Sequence, residues 1–368
     1  MAVKTDSKST IESVCREFRI EGRMTDITLI TRGHINTTYK VSFENEGNVK
    51  SYVLQKINTY VFKEPAMIMS NIDKVSEYIR SNFPEKGKSL HFHHCANGLN
   101  YFPGKDGSFW RLFNYIESLV FDLCDDERVL RGAGYAFGDF QTKLVNFDAS
   151  ELFETIKDFH NTPKRLEKFF ADVETDECGR VCEVAEEIEY VRKHVEIASK
   201  LVEMRSSGEL PTRVTHNDTK ANNILFDRET LEPLTVVDLD TVMPGLVAYD
   251  FGDAIRTAAS SAVEDERELD KVWLDVRKFE CFTEGFTRAT AGYLTEAELD
   301  SLALGAFTMT FEVAVRFLDD YLTGDKYFRT EYEGHNLVRA RCQFKLAGDI
   351  LSKLPELNET VRRIAKVN

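Results

Sequence analysis

The chemistry-bearing residues of this 368-residue chain concentrate in two stretches, Val214–Phe226 (VTHNDTKANNILF) and Leu234–Thr241 (LTVVDLDT). In the first, a polar loop carrying His216, Asp218 and Asn223 sits between two apolar runs. In the second, Leu234, Val236 and Val237 read as a buried strand that ends in two acids, Asp238 and Asp240. Pairing the apolar runs as a hairpin would gather Asp218, Asn223 and Asp238 at one mouth. An Asp that can take a proton, an Asn that offers a neutral oxygen and a strand-end carboxylate suit phosphoryl transfer. That reaction needs an oriented hydroxyl nucleophile and neutralised charge on the transferred group. Magnesium takes hard oxygen ligands of this kind and keeps several waters. The order His-x-Asp, with Asn five residues after the Asp, matches a kinase catalytic loop. Asp218 is therefore the expected catalytic base. Asn223, Asp238 and Asp240 are the expected metal ligands, and His216 is structural. The bland alternative is turn chemistry, which also favours Asn and Asp.

Several other patterns compete for attention. Asp250-Phe251-Gly252 spells a kinase metal motif but lies well past Asp218 and opens a helical run over 250–262, so Asp250 reads as a helix N-cap or loop-fixing acid. His91-Phe-His-His-Cys95 has no second half with ligand spacing, which argues against structural zinc. Gly98–Lys105 has the wrong spacing for a phosphate loop and is followed by Asp106 instead of Ser or Thr. His160-Asn-Thr-Pro163 reads as a helix stop.

Stepping outward, three β-rich runs (27–31, 37–43 and 49–57) joined by short polar turns predict an antiparallel meander. A helix follows over 64–80, with Pro65 at its first position. One or two further strands are expected in 90–116. Beyond about 119, helical periodicity dominates at 128–147, 151–160, 181–205, 271–291, 295–322 and 336–353, interrupted by the β-like segment 214–242. The expected fold is α+β, protein-kinase-like and bilobal. Residues 1–115 would form a nucleotide-binding lobe with a small antiparallel sheet, and 116–368 a large, mainly helical catalytic and substrate-binding lobe.

The sequence resembles the aminoglycoside-phosphotransferase and choline-kinase type of small-molecule kinase and, more narrowly, the bacterial N-acetylhexosamine 1-kinases. The likeness runs from about residue 10 to 355. It rests on Arg32–Tyr39 (RGHINTTY), Trp110–Ile116 (WRLFNYI), Ala136–Gln141 (AFGDFQ), Asp158–Arg165 (DFHNTPKR), Thr215–Asn223, Tyr249–Arg256 (YDFGDAIR) and Val315–Asp319 (VRFLD). The resemblance implies ATP and Mg2+ as cofactors. It also implies that the loop with Gly33, Asn36, Thr37 and Thr38 covers the nucleotide phosphates, that Lys56 pairs them, and that Asn114, Tyr115 and Ile116 read adenine through backbone groups. By the same resemblance His34, Asp218, Arg316 and Tyr327 contact a sugar. The loop departs from the glycine pattern of protein kinases. The acid that should pair with Lys56 is not evident, with Glu77 and Asp73 the nearest candidates. The bland reading of Lys56 is a surface lysine, and that of Arg316 an ion pair with Asp319 or Asp320.

Composition narrows the function classes. The chain has 47 basic and 62 acidic residues, a net charge of −15, which repels nucleic acid and anionic membranes. Seven irregularly spaced cysteines fit reduced thiols in a cytoplasm. No membrane-spanning apolar run is evident, and a monomer is expected. The leading reading is an ATP-dependent kinase acting on the anomeric hydroxyl of an N-acetylhexosamine. The alternatives are a kinase of another alcohol (aminoglycoside, choline, homoserine or a different sugar) and a non-catalytic binding protein of the same fold. A sulfatase is excluded because no cysteine has Pro two residues on.

Overall fold

The structure, a computed structural model, describes residues 6–31, 35–84, 89–122 and 125–367. Gly33 and His34 lie outside the described residues. The chain forms two compact units. The first comprises the chain up to Ser118 together with Val237–Val242, and the second comprises Leu119–Val236 and Met243 onward.

The first unit begins with helix α1 (Lys8–Glu17), whose N-cap Ser7 accepts the Thr10 N–H. Strands β1 (Arg23–Ile30), β2 (Thr37–Asn45) and β3 (Asn48–Lys56) follow, then helix α2 (Pro65–Asn82) and strands β4 (Phe102–Pro103) and β5 (Phe109–Asn114). They make an antiparallel sheet in the order β1-β2-β3-β5-β4. Glu46 and Gly47, both at positive φ, form the two-residue turn between β2 and β3, the backbone geometry that matches strand twist.

Strand alternation divides this sheet into two faces. Tyr39, Val41 and Phe43 of β2, Leu54 of β3 and Trp110 and Leu112 of β5 pack with Ile11, Val14 and Cys15 of α1. Gln55 and Arg111 are cross-strand partners on the opposite face. There Arg111 Nη1 lies 3.9 Å from Sδ of Met69, one of the buried α2 residues with Ile68, Ile72 and Val75.

The second unit contains α3 (Glu127–Lys143), α4 (Thr162–Thr175), α5 (Ala185–Ser206), β6 (Arg213–Thr215), β7 (Ile224–Phe226), β8 (Pro233–Val236), β9 (Met243–Gly245), α6 (Val247–Ala258), α7 (Val276–Thr290), α8 (Glu296–Leu322) and α9 (His335–Ala365). Strand β6 pairs with β9, and β7 with β8. By length and composition α8 could cross a membrane, contrary to the expectation that no such run exists. However, 89% of its apolar window is buried inside the protein.

The expected helix over 151–160 is absent. A short 3-10 turn, Ala149–Glu151, precedes an irregular segment in which Asp158 takes φ 55°. The signal read as a helix stop is a start: Asn161 caps α4, and Pro163 sits in its first turn, where a missing N–H costs nothing. The Asp-Phe-Gly triplet is core architecture of α6, which begins at Val247, ahead of Asp250. Phe251 is fully buried against the rings of Phe279, Phe282 and Phe286. A Cβ on Gly252 would come within 2.2 Å of the Gly305 carbonyl oxygen, so only glycine permits the α6–α8 contact.

Candidate active site

The loop after β6 is fixed from below by two acids of α6. Asp250, 1% exposed, accepts the backbone N–H groups of His216 and Asn217, each at 2.8 Å, and the Gln141 side-chain amide at 2.5 Å. Asp253 accepts the Thr219 N–H at 3.0 Å, and Thr219 Oγ1 donates to the Asp250 carbonyl at 2.6 Å. The His216 ring is buried edge-on against Phe137 and Phe140, and its Nδ1 accepts the Asp218 N–H at 3.3 Å. Asn217 adopts φ 62°, an energetically costly conformation that these bonds hold in place. Burial pushes the Asp250 carboxyl up to about 6, against the lowering effect of His216, Asn217 and Gln141.

Fixing the loop presents Asp218, whose side chain is 27% exposed. Its carboxylate takes the Asn223 amide N–H at 3.1 Å and Lys220 Nζ at 2.9 Å. A second Asn223 N–H bond goes to the Asp218 carbonyl at 2.8 Å. Both bonds use the Asn223 nitrogen, and its Oδ1 is the atom suited to a hard cation. Asn223 directly precedes β7, whose Ile224 pairs with Val236 of β8. The chain then passes through Val237 to Asp238, which stands at φ 62°, ψ 59°.

Carboxylate and amide oxygens of this kind fit magnesium. Among the described residues no group of three His, Cys, Asp or Glu side chains could hold a metal ion. Magnesium does not need such a cage, since waters and phosphate oxygens complete its octahedron.

Asp240 serves a different purpose from the one expected. It is 3% exposed, pairs with the buried Arg111 guanidinium, and accepts Asn36 Nδ2 at 2.9 Å. With both oxygens engaged by N–H donors in the first unit, it is an anchor rather than a metal ligand. Lys56 is also placed differently. It shares the α1-side face with Leu54 and Trp110, pairs with Asp6 at 2.8 Å, and stands over the Trp110 ring. Glu77 pairs instead with Arg80 and His91, and Asp73 with His94. The N–H groups of Asn114 and Tyr115 donate to the carbonyls of His91 and Ser51, so of the expected adenine-reading residues these two cannot offer their N–H.

Farther along the second unit, Arg316 lies over three rings, with its guanidinium carbon 5.5 Å from the Phe159 centroid, 5.8 Å from Tyr327 and 5.4 Å from Phe328. Among the described residues no carboxylate comes within ion-pair distance of it. Asp319 is bound to Lys168, and Asp320 accepts the backbone N–H groups of Lys326, Tyr327 and Phe328, thereby shaping the loop that carries Tyr327. Beneath Phe159, the buried Glu312 accepts His160 Nδ1 and Thr162 Oγ1, each at 2.9 Å, and pairs with Arg165 at 3.3 Å. Burial alone would raise the Glu312 carboxyl; Arg165 and His160 outweigh that and bring it down to about 2. A cleft of about 120 Å3 opens in this unit between Phe159, His160, Asn217 and Tyr249, with Glu154 and Asp158 on its wall.

Sequence reasoning missed Lys220, Arg111 and Glu312. Lys220 stands two residues after Asp218 in the loop already singled out. Arg111 sits in Phe109-Trp-Arg-Leu-Phe113, where a charge inside an apolar strand must find a buried partner. Glu312 sits likewise in the apolar run of α8.

These features define a phosphotransferase with the kinase-like fold: a five-stranded antiparallel sheet in one unit and, in the other, a mainly helical body bearing the His-x-Asp…Asn loop. The chain belongs to the phosphotransferase enzyme family (APH), whose profile matches residues 26–273. Solved structures share the fold at low identity. A microcompartment-associated aminopropanol kinase is 15% identical, covering 95% of this chain and 98% of its own, with a TM-score of 0.61. A choline kinase from Cryptosporidium parvum is 13% identical, covering 97% and 98%, with a TM-score of 0.60. A spectinomycin phosphotransferase in complex with ADP and spectinomycin is 12% identical, covering 96% and 99%, with a TM-score of 0.54.

Proposed function

We propose that the protein is an ATP- and Mg2+-dependent kinase that phosphorylates the C1 hydroxyl of an N-acetylhexosamine. The observation that carries this is the Asp218 carboxylate, partly open, braced by Asn223 and Lys220 on a loop locked from below. Asp218 orients the acceptor hydroxyl and takes its proton as the new O–P bond forms and the bond to ADP breaks. Asn223, through its Oδ1, and Asp238 are the residues that would offer oxygens to magnesium, which would supply neutralisation of charge on the phosphate oxygens. Lys220 keeps a positive charge beside the reacting centre. Positioning is the main device in such reactions, and good alignment can remove about 7 kcal/mol or more of barrier.

The sugar assignment rests on Arg316. A guanidinium set among Phe159, Tyr327 and Phe328, with no acidic partner among the described residues, keeps its donors for a ligand oxygen, such as a ring hydroxyl or acetamido carbonyl. The wall of the cleft carries Glu154, which favours a second reading, an amino-alcohol acceptor whose ammonium that carboxylate would attract. A phosphorus NMR screen with ATP, magnesium and a panel of N-acetylhexosamines, other sugars and amino alcohols tests both. A sugar 1-phosphate from an N-acetylhexosamine is expected. Turnover of amino alcohols alone would replace the sugar assignment, and no phosphate transfer to any alcohol would overturn the reading.

A further inference from the structure

Five side chains of the first unit form one hydrogen-bonded chain that begins and ends at the start of β2. Gln55 Nε2 donates to Thr38 Oγ1 at 3.0 Å, and Gln55 Oε1 accepts Arg111 Nε at 2.8 Å. Arg111 Nη1 reaches Asp240, whose other oxygen accepts Asn36 Nδ2 at 2.9 Å. Asn36 and Thr38 flank the start of β2, in the stretch that resembles the phosphate loop. Asp240 lies two residues after Asp238. The segment carrying both acids, Val237–Val242, packs with the first unit, where Asn71 Nδ2 also holds the Val242 carbonyl at 2.9 Å.

We propose that Arg111, Asp240 and Asn36 act as a positioning clamp that couples the stretch 36–38 to Asp238, so that nucleotide phosphate and metal bind as linked events; this rests on the kinase reading above. The cation of the clamp is Arg111, because strand alternation puts Lys56 on the α1-side face, away from Gln55 and Arg111. A guanidinium suits the place. Its planar fork reaches Gln55 with one nitrogen and Asp240 with another, which a lysine ammonium cannot do in the same fixed geometry. Arg111 and Asp240 are 2% and 3% exposed, so the pair is little screened and its orientation is fixed. The carboxylate of Asp240 is neutralised by Arg111, which lets an acid sit two residues from a metal ligand without competing for the ion.

The test is calorimetric, with ATP titrated into the full-length protein in the presence and absence of magnesium. The readout is the factor by which magnesium tightens ATP binding. In Asn36→Ala, which removes the least buried member and leaves the Arg111–Asp240 pair intact, that factor is expected to fall about tenfold, the value of one hydrogen bond to a charged group. ATP binding without magnesium is expected to change far less. Arg111→Lys is expected to show the same loss, whereas a merely structural clamp would lower the melting temperature and leave the magnesium factor at the wild-type value. An unchanged factor in both variants overturns the clamp. So does loss of the factor in Lys56→Met with retention in Arg111→Lys. Failure of the wild-type chain to bind ATP in a magnesium-dependent way would overturn the kinase reading along with it.

Discussion

Asp250 accepts the backbone N–H of Asn217 at 2.8 Å, across 33 residues of chain. This bond and its twin to His216 make a buried helix acid the floor of the loop that carries Asp218. The acid of the Asp-Phe-Gly triplet thus shapes the residue before Asp218.

The pH response of this floor has a definite sign. The native carboxyl titrates near 6, above its ordinary value of 3.8, because burial disfavours its charge. The native state therefore binds the proton more tightly than the unfolded chain. The group's contribution to stability is largest at low pH, declines as pH rises from about 4 to about 6, and is flat above. Function runs the other way, since protonation removes acceptor capacity from two backbone donors. Turnover is expected to fall below about pH 6, and the Asp250→Asn variant should lose that limb of the pH–rate profile along with much of its kcat.

Replacing Asp218 by Asn removes the proton acceptor and keeps the shape. A fall in kcat of about 10²- to 10⁴-fold is expected, with little change in ATP affinity by calorimetry. Near-normal turnover would contradict its role. Lys220→Ala, which removes the cation 2.9 Å from Asp218, should lower kcat by a smaller factor.

Arg316→Ala should act on the acceptor alone. Loss of one charged hydrogen bond predicts a rise in acceptor KM of about 10- to 100-fold with ATP KM unchanged. Steady-state kinetics against each substrate separates the two, and an effect confined to ATP would refute the placement.

Glu312 supplies the acid-side stability test. Its native carboxyl is held near 2, below the usual 4.5, so it stabilises the fold above about pH 4.5 and loses that contribution as pH falls toward 2. Glu312→Gln leaves Arg165 and His160 without their buried partner. A loss of about 3 to 5 kcal/mol is expected in urea unfolding at pH 7, shrinking as pH is lowered through that window.

Much of this protein was legible in residue order alone. Hydrophobic alternation located β1 to β3, because a strand buried on one face must repeat every two residues. Proline at the first helical position located α2. The spacing His216, Asp218, Asn223 was visible because one short loop must deliver all three. Local pattern misled where two structures share one signal. Asn161 and Pro163 punctuate a helix start as well as a stop, and only the chain's packing decides which side the helix lies on.

Long-range partners were decided by tertiary structure. Nothing in the spelling of Lys56 or Arg111 says which face of the sheet each occupies. That depends on register against neighbouring strands and on which helix covers which side. Asp240 looked like a metal ligand by its place after Asp238 and became an anchor once Arg111, 129 residues earlier, was found against it. A sequence determines which side chains can bear charge or donate oxygen. The fold determines which of them are already paired, because burying a charge is tolerable only beside its partner.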